Sequence, residues 1–361
     1  MGIKSIERMK FVKYLFITSL CLLTLAPQPA RAEEGKVDVA GIVFGHIEDA
    51  YEWHITDIGG KPVRIPLPVI VKSTTGWHVF SSARLEDGAE YEGLHIAQEG
   101  PYAKKIVERN AAGGEVRPLD ISITKNVLAL FINSALLVAI MLGCARWYKR
   151  HEVEKEAPKG GVGMMEATVL YIYEDVVKSC VGAQYRRYAP YLLTAFFFIL
   201  LNNLMGLIPF FPGGANITGN IAITVVLALF TFVLTNVTGS KEYWKDIFWP
   251  NVPTWLKAPV PLMPLIEFIG VFTKPFTLAM RLFANLMAGH AGILSIICII
   301  FITAQLGAGI CSSMSLIAVI FGIFLNALEV LVAFIQAYVF TLLSAIFIGI
   351  AHPQTETIEN K

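Results

Sequence analysis

Five long apolar segments dominate the chain from about residue 120 onwards. Each is long enough to cross a bilayer, which takes about 20 apolar residues in a helix. They cover about 122–147, 190–210, 220–238, 264–306 and 314–350. The last two are far longer than a bilayer requires, so we expect a hairpin of long, tilted helices. The pattern predicts an all-α polytopic membrane protein with five transmembrane helices, in a domain covering 120–352.

A segment of mixed character separates the first two apolar segments. Residues 162–182 combine apolar positions with charged ones at Glu166, Glu174, Asp175 and Lys178. This pattern predicts one amphipathic helix that lies on the membrane surface.

The chain before the apolar segments follows a different pattern. Residues 33–119 are charged throughout and contain short alternating runs at 37–44, 63–71 and 77–81, separated by glycine-containing turns. Such runs predict a small β-rich domain outside the membrane. Its four histidines are irregularly spaced with no cysteine nearby, which favours ordinary histidines over a metal site.

The two ends of the chain are predicted to lie outside these domains. Residues 1–32 have the features of a secretion signal: a basic lead, an apolar core at Tyr14–Leu25 and a cleavage pattern at Ala30-Arg31-Ala32. The alternative is a first membrane anchor, but the apolar core is shorter than a span requires. Residues 353–361 are expected to form a short cytoplasmic tail.

Composition agrees with a membrane protein. Of the 361 residues, 55% are hydrophobic and 16% are charged, against about a quarter charged in soluble domains. The net charge of +1 gives no indication of nucleic-acid binding. The five cysteines show neither a metal-binding spacing nor a disulfide framework, and no cofactor motif is present.

Basic residues indicate the orientation. They follow the first span, precede the second and lie between the third and fourth, whereas 211–219 and 306–313 contain no Lys or Arg. The positive-inside rule places the β-rich domain outside and the C-terminus in the cytoplasm. We therefore expect a multi-pass protein of the bacterial plasma (inner) membrane.

Three side chains in the last two apolar segments are candidates for chemistry. Among the 76 residues from Pro275 to Ile350, Arg281, His290 and Glu329 are the acidic, basic or imidazole side chains. An arginine at the centre of a membrane helix costs about 2.5–3.5 kcal/mol on insertion scales. Function is therefore the first hypothesis for these residues.

Hairpin geometry relates the three residues to one another. If the helices turn back near 307–309, Arg281 lies level with Gln336, and His290 lies level with Glu329. The two layers are then about nine residues, or roughly 13 Å, apart. Helical spacing puts Arg281 and His290 on nearly opposite faces. The hairpin has no carboxylate level with Arg281, so we expect one from another chain.

Simpler explanations exist for part of this pattern. His290 and Glu329 could only hold two helices together, since such polar contacts contribute about 0.6–2 kcal/mol. Small residues near Arg281 suit either close helix packing or space for water. They are Ala279, Ala284, Ala288, Gly289, Ala291 and Gly292.

Several motifs resemble the a subunit of F-type ATP synthases, the ATPase subunit 6 family. Residues 281–289 (RLFANLMAG) are similar to the family signature around its essential arginine, and Lys274-Pro275 precedes it at the family spacing. Residues 203–209 (NLMGLIP), 216–220 (NITGN) and 336–340 (QAYVF) agree as well. The resemblance covers about 120–350, and several motifs in the right order make it highly specific.

The resemblance implies the proton-translocating stator subunit of the F0 sector, which has no enzymatic activity of its own. Such a subunit provides two half-channels beside a ring of c subunits, and its arginine meets the unprotonated ring carboxylate and prevents direct leakage. The implied partners are the c-subunit ring, the b subunits of the peripheral stalk, the rest of the F0F1 complex and membrane lipid.

Individual roles follow from matching positions. Asn285 and Gln336 would be polar neighbours of Arg281, and His290 with Glu329 would form the outer relay. Some family members have these last two residue types exchanged between the helices, so the pairing matters more than the order. Histidine suits a relay because its pKa lies near neutrality.

Two further positions match the family and two depart from it. Glu267 matches a position linked to the inner half-channel, and Asn203 matches one that lines the outer half-channel. Gly206 stands where some members have an acidic residue, and Ala284 stands where many have glycine. Residues 33–119 lie outside the resemblance.

Two other function classes remain as alternatives from the residues alone. A secondary transporter also uses buried His, Glu and Arg, but it usually has internal repeats and broken helices at matched positions, which the sequence lacks. An intramembrane hydrolase would need a nucleophile with a base, or a metal set, at membrane depth.

Overall fold

The computed structural model describes residues 48–58, 61–109, 114–151, 156–208, 211–250, 262–304 and 308–352. The predicted signal segment at 1–32, the alternating run at 37–44 and the tail at 353–361 lie outside these ranges.

The described residues between 52 and 120 form eight strands in three small antiparallel sheets. The sheets have the orders β1-β2, β4-β3-β8 and β5-β6-β7. The strands are β1 (Glu52–Ile58), β2 (Lys61–Pro66), β3 (Pro68–Ser73), β4 (Gly76–Ser81), β5 (Leu94–Ile96), β6 (Ile106–Arg109), β7 (Glu115–Val116) and β8 (Leu119–Asp120). The prediction of a β-rich N-terminal region is therefore confirmed for the described part.

Alternation along β3 produces the core of this region. Val69 and Val71 are fully buried on one side of the strand, where they contact the buried Phe80 and Leu94. The core is closed on another side by Tyr51, whose hydroxyl donates a hydrogen bond to the Asp120 carboxylate. Burial, followed by the hydrogen bond to Asp120, raises the pKa of Tyr51, so this hydroxyl stays protonated.

Seven helices longer than seven residues lie in the described ranges after residue 124. They are α1 (Lys125–Arg150), α2 (Gly161–Tyr171), α3 (Tyr185–Gly206), α4 (Ile221–Thr238), α5 (Lys241–Phe248), α6 (Leu262–Thr303) and α7 (Ala308–Ala351). Five helical segments are long and apolar enough to cross a membrane. They contain α1, α3, α4, α6 and α7, so the prediction of five long apolar helices, typical of a polytopic membrane protein, is confirmed.

The segment predicted as an amphipathic helix runs into the second span. After α2, a π-helical stretch covers Ile172–Lys178 and leads through short turns to α3. Ile172 and Val176 are fully buried, whereas Glu174 and Lys178 are exposed and form an ion pair of 2.7 Å. The segment is thus two-sided, and its position on the membrane surface stays a prediction.

The core of the helical part lies around α3. Leu192, Phe196 and Ile199, which recur on one face of that helix, are fully buried. They belong to one apolar cluster with residues of α6 and α7, including Leu282 and Phe340. This packing fixes which face of α6 points towards the protein.

The β-rich region contacts the helical part through β1. Trp53 is 3% exposed and packs with Ala129 of α1 and with Ala215 and Ile217 of the loop between α3 and α4. Its ring meets the Phe211 ring edge-on, with centroids 5.1 Å apart. One indole therefore joins the β-rich region to the α3–α4 loop.

Candidate functional site

Arg281 lies on the outward face of α6. The helix turns Leu278, Leu282 and Leu286 towards the protein core, where each is at most 3% exposed. Residues at offsets of three, four and seven from Arg281 share its face. This arginine face consists of Arg281, Ala284, Asn285 and Ala288, and all four are exposed in the single chain.

Within the described ranges, Arg281 takes part in no hydrogen bond or ion pair. The guanidinium has five N–H donors in a fixed fork that suits a carboxylate. A membrane-depth charge is usually paired or directed to a water-filled cavity. The arginine face therefore offers its donors to a group outside this chain.

His290 and Glu329 lie together between α6 and α7. The Nδ1 of His290 is 3.1 Å from Oε1 of Glu329, and the side chains are 14% and 5% exposed. This contact lacks the alignment of a hydrogen bond, and His290 Nε2 and both Glu329 oxygens are buried without hydrogen-bond partners. Buried polar atoms are nearly always paired with protein or water. These nitrogen and oxygen atoms can therefore form hydrogen bonds with further groups.

Two glycines provide the space around this pair. A Cβ on Gly289 would lie 2.6 Å from Oε1 of Glu329, which is closer than side chains can approach. A Cβ on Gly206 would lie 3.5 Å from Nε2 of His290. Gly206, which departs from the family pattern, therefore borders the unpartnered nitrogen of His290.

Arg281 lies in a different layer from the His290–Glu329 contact. Lys274 lies over the Phe347 ring at 5.8 Å, which gives a second antiparallel pairing of α6 and α7. Interpolating between the two pairings puts Arg281 opposite about 338–340, roughly within one turn of Gln336. Gln336 is 8% exposed and faces inwards. The structure therefore keeps Arg281 and the His290–Glu329 pair apart along the helices.

Asn203 is fully buried, and both the nitrogen and the oxygen of its side-chain amide form hydrogen bonds. Its Nδ2 donates to the carbonyl of Ala333 at 3.3 Å, and its Oδ1 accepts from Thr218 Oγ1 at 2.6 Å. These bonds tie α3 to α7 and to the α3–α4 loop. In this arrangement Asn203 positions α3 relative to α7 and to the α3–α4 loop.

Glu267 lies at the other end of α6 and is half-buried. Its charge acts on Tyr243 of α5, whose pKa is raised first by burial and then by this carboxylate. Glu267 is separate from the arginine face and from the His290–Glu329 pair. The structure does not bring it into contact with either.

Sequence reasoning missed several polar residues near the site. Asn133 Nδ2 donates to Asn202 Oδ1 at 2.9 Å, which joins α1 to α3. Asn216 Nδ2 contacts Met287 Sδ at 3.6 Å, six residues beyond Arg281. An amide within an apolar span is a signal of a buried polar contact, so Asn133 and Asn202 could have been found.

Metal ligands do not cluster in the described ranges: they contain no group of three or more His, Cys, Asp or Glu side chains suited to a metal ion.

Comparison with known proteins gives two family matches and many similar sequences. Residues 130–349 match the family described as ATP synthase A chain, and residues 42–124 match a domain of unknown function, DUF8433. A protein of Chlorobium luteolum named ATP synthase subunit a 2 is 44% identical over 355 residues, covering 97% of this chain and 95% of that protein.

Two more relatives have the same kind of name. ATP synthase subunit a of Chlorobium phaeobacteroides is 43% identical over 267 residues, or 72% of this chain and 73% of the relative. ATP synthase subunit a of Myxococcus xanthus is 40% identical over 240 residues, or 64% of this chain and 74% of the relative. The similarity therefore extends beyond one group of bacteria.

Proposed function

This chain belongs to the ATP synthase A chain family, and on that premise we propose that it is the proton-translocating stator subunit of an F0 sector. Its task would be to guide protons past Arg281 by way of a ring of partner helices. The relatives are named ATP synthase subunit a, which supports this assignment.

One observation supports the mechanism above all others. Arg281 is exposed on an apolar helix and has no partner within the described ranges of its own chain. A guanidinium in that position needs an anion from a neighbouring protein, and a carboxylate on a ring helix has the required chemistry. Each ring carboxylate that loses its proton would be held briefly by Arg281 until rotation brings the next one.

The His290–Glu329 pair would deliver protons from the outer side. Both residue types exchange protons, and their unpartnered atoms accept or donate further hydrogen bonds. The pair lies nearer the α6–α7 turn than Arg281 does, so a proton would reach the ring before it could reach the arginine. The driving free energy is about 2.3 kcal/mol per charge for each 100 mV.

The other candidate residues would support these steps. Gln336 and Asn285 would be polar neighbours of Arg281, with Asn285 on the arginine face. Asn203 would hold α3 and α7 in register beside the outer half-channel. Glu267 would contribute to the inner half-channel, since it lies on the part of α6 remote from the α6–α7 turn.

The remaining features of the assembly follow from the same proposal. The arginine face would contact the c-subunit ring, and the b subunits of the peripheral stalk would bind elsewhere on the membrane domain. The chain would reside in the bacterial plasma membrane with the β-rich domain outside and the C-terminus in the cytoplasm. A boundary near residue 120 agrees with the two separate family matches, which end at 124 and begin at 130.

Disulfide cross-linking tests the contact with the ring. A cysteine at Asn285, combined with one on the ring helix beside its carboxylate, should form a disulfide in membranes because Asn285 lies on the arginine face. The matched control is Leu286→Cys, since the neighbouring Leu286 is buried against the core. Cross-linking at Leu286 but not at Asn285, measured by gel shift, would contradict the proposed orientation.

Gly289→Ala tests the space beside Glu329. The new Cβ would lie 2.6 Å from the carboxylate, so Glu329 must move, and we expect proton-driven ATP synthesis to fall about tenfold. Gly292→Ala is the control, because a Cβ there meets nothing within 4 Å. Equal activity of the two variants in membrane vesicles would show that the position of Glu329 is not critical.

A further inference from the structure

The inward face of α1 is a stripe of amide side chains. Its buried residues are Asn126, Ala129 and Asn133, which share one face. Both asparagines are 2% exposed, and the Oδ1 atom of each lacks a hydrogen-bond partner, as does the buried Oγ1 of Thr124 just before the helix. Buried oxygens without a partner in the protein are typical of sites that bind water.

The outer end of this stripe adjoins an acidic cleft in the β-rich region. The cleft has a volume of about 430 Å³. Asp49 lines it and also accepts a hydrogen bond from the backbone N–H of Asn126, at 3.0 Å. The charged side chains that line it are Glu48, Asp49, Glu52, Glu86, Arg64 and Lys104. Arg64 forms an ion pair with Glu52, and Lys104 forms one with Glu48. The remaining carboxylates are those of Asp49, which also interacts with Lys125, and Glu86. This small excess of negative charge favours cations over anions in the cleft.

The inner end of the stripe approaches His290. Asn133 donates its hydrogen bond of 2.9 Å to Asn202 on α3. Gly206 lies one turn further along α3 on nearly the same face, about 6 Å from Asn202. That glycine borders the unpartnered Nε2 of His290. One turn of α3 therefore separates the last amide from the relay pair.

We propose that Thr124, Asn126, Asn133 and Asn202 line a water-filled path that brings protons from the acidic cleft to His290. Asparagine does not titrate, so its part would be to hold hydrogen-bonded water along which protons move. The proposal rests on the proposed function and deepens it. It makes α1 and the β-rich domain the outermost section of the outer half-channel.

Helix packing alone accounts for only part of the stripe. The bond between Asn133 and Asn202 holds α1 to α3, as polar contacts in membranes commonly do. It leaves Asn133 Oδ1 unpaired and does not involve Asn126 at all. Water along the stripe satisfies all of these oxygens together.

Silver-ion accessibility tests the path in the assembled F0 sector in membranes. The native cysteines of the chain are first replaced by alanine, F1 is removed, and Ag⁺ is added on the outer side during passive proton conduction. Asn133→Cys should be inhibited at least about tenfold faster than Phe131→Cys, because Ag⁺ needs water to reach the thiolate. Phe131 lies two residues away, on nearly the opposite face of α1, and is 61% exposed. Inhibition of Asn133→Cys no faster than Phe131→Cys would overturn the proposal.

Substitution provides a second readout. Asn133→Leu should lower passive proton conduction at least about fivefold, whereas Asn133→Ser, which still binds water, should restore most of it. A Leu variant that assembles and conducts like the parent would refute the path. If Arg281→Ala abolishes ATP-driven proton pumping by the complete F0F1 complex while Asn133→Leu conducts like the parent, the path alone is wrong. If the Arg281→Ala complex still couples ATP hydrolysis to proton pumping, the proposed function is wrong.

Discussion

Replacing Arg281 by alanine is expected to reduce proton-driven ATP synthesis at least about 100-fold. Removing one partner of a buried charge pair costs about 3–5 kcal/mol, and each 1.4 kcal/mol is about tenfold in rate. The ring carboxylate would lose its counter-charge, and protons could pass between the half-channels without rotation. Synthesis is measured in inverted membrane vesicles under an imposed proton gradient.

Two further variants show what the arginine contributes. Arg281→Lys should retain part of the activity, because lysine keeps the charge but not the two-pronged geometry. Arg187→Ala is the control, since Arg187 is an exposed arginine at the start of α3. Full synthesis by an assembled Arg281→Ala complex would remove the basis of the mechanism. Loss of synthesis with Arg187→Ala to the same degree would point to assembly instead.

Exchanging His290 and Glu329 is expected to preserve far more activity than removing either one. His290→Leu and Glu329→Leu should each lower proton-driven synthesis about 100-fold, the lower end of the usual contribution of a positioned proton donor or acceptor. The exchanged variant keeps both proton-binding groups at the 3.1 Å contact. Proton pumping and ATP synthesis in the same vesicles give the comparison.

The outcome of the exchange distinguishes a proton relay from a contact that only joins two helices. If the pair only joined two helices, either leucine variant would lose assembly in proportion to activity, and the amount of complex in the membrane would fall with the rate. An assembled exchange variant with no more activity than the leucine variants would show that the order of the residues, and not their pairing, is essential.

The long apolar helices could be predicted from the sequence because lipid imposes a simple rule. Backbone groups must be satisfied within the helix and apolar side chains must cover it, so apolar run length alone located α1, α3, α4, α6 and α7 to within six residues at their starts. Arg281 could also be identified as a candidate functional residue, because a charge in such an apolar run is costly. Hairpin geometry predicted the shared depth of His290 and Glu329 from the spacing alone.

Other features depend on contacts that no local pattern encodes. The run 63–71 forms two strands, because Pro66 and Pro68 each lack an N–H for the ladder, and Leu67 between them belongs to neither strand. The π-helical stretch at Ile172–Lys178 brings particular side chains into the core, which only the packing of α3 and α7 determines. Asn203 was predicted to line a channel, but its role depends on two partners far away in sequence.

The exposed arginine face also has a consequence for biogenesis. A newly inserted copy of this chain would present a guanidinium directly to acyl chains, at a cost of at least about 2.5–3.5 kcal/mol. An unassembled subunit of this kind is unfavourable in the membrane. We expect quality-control proteases to degrade it. Insertion next to a completed rotor removes that penalty at once, so the order of subunit synthesis becomes a determinant of yield.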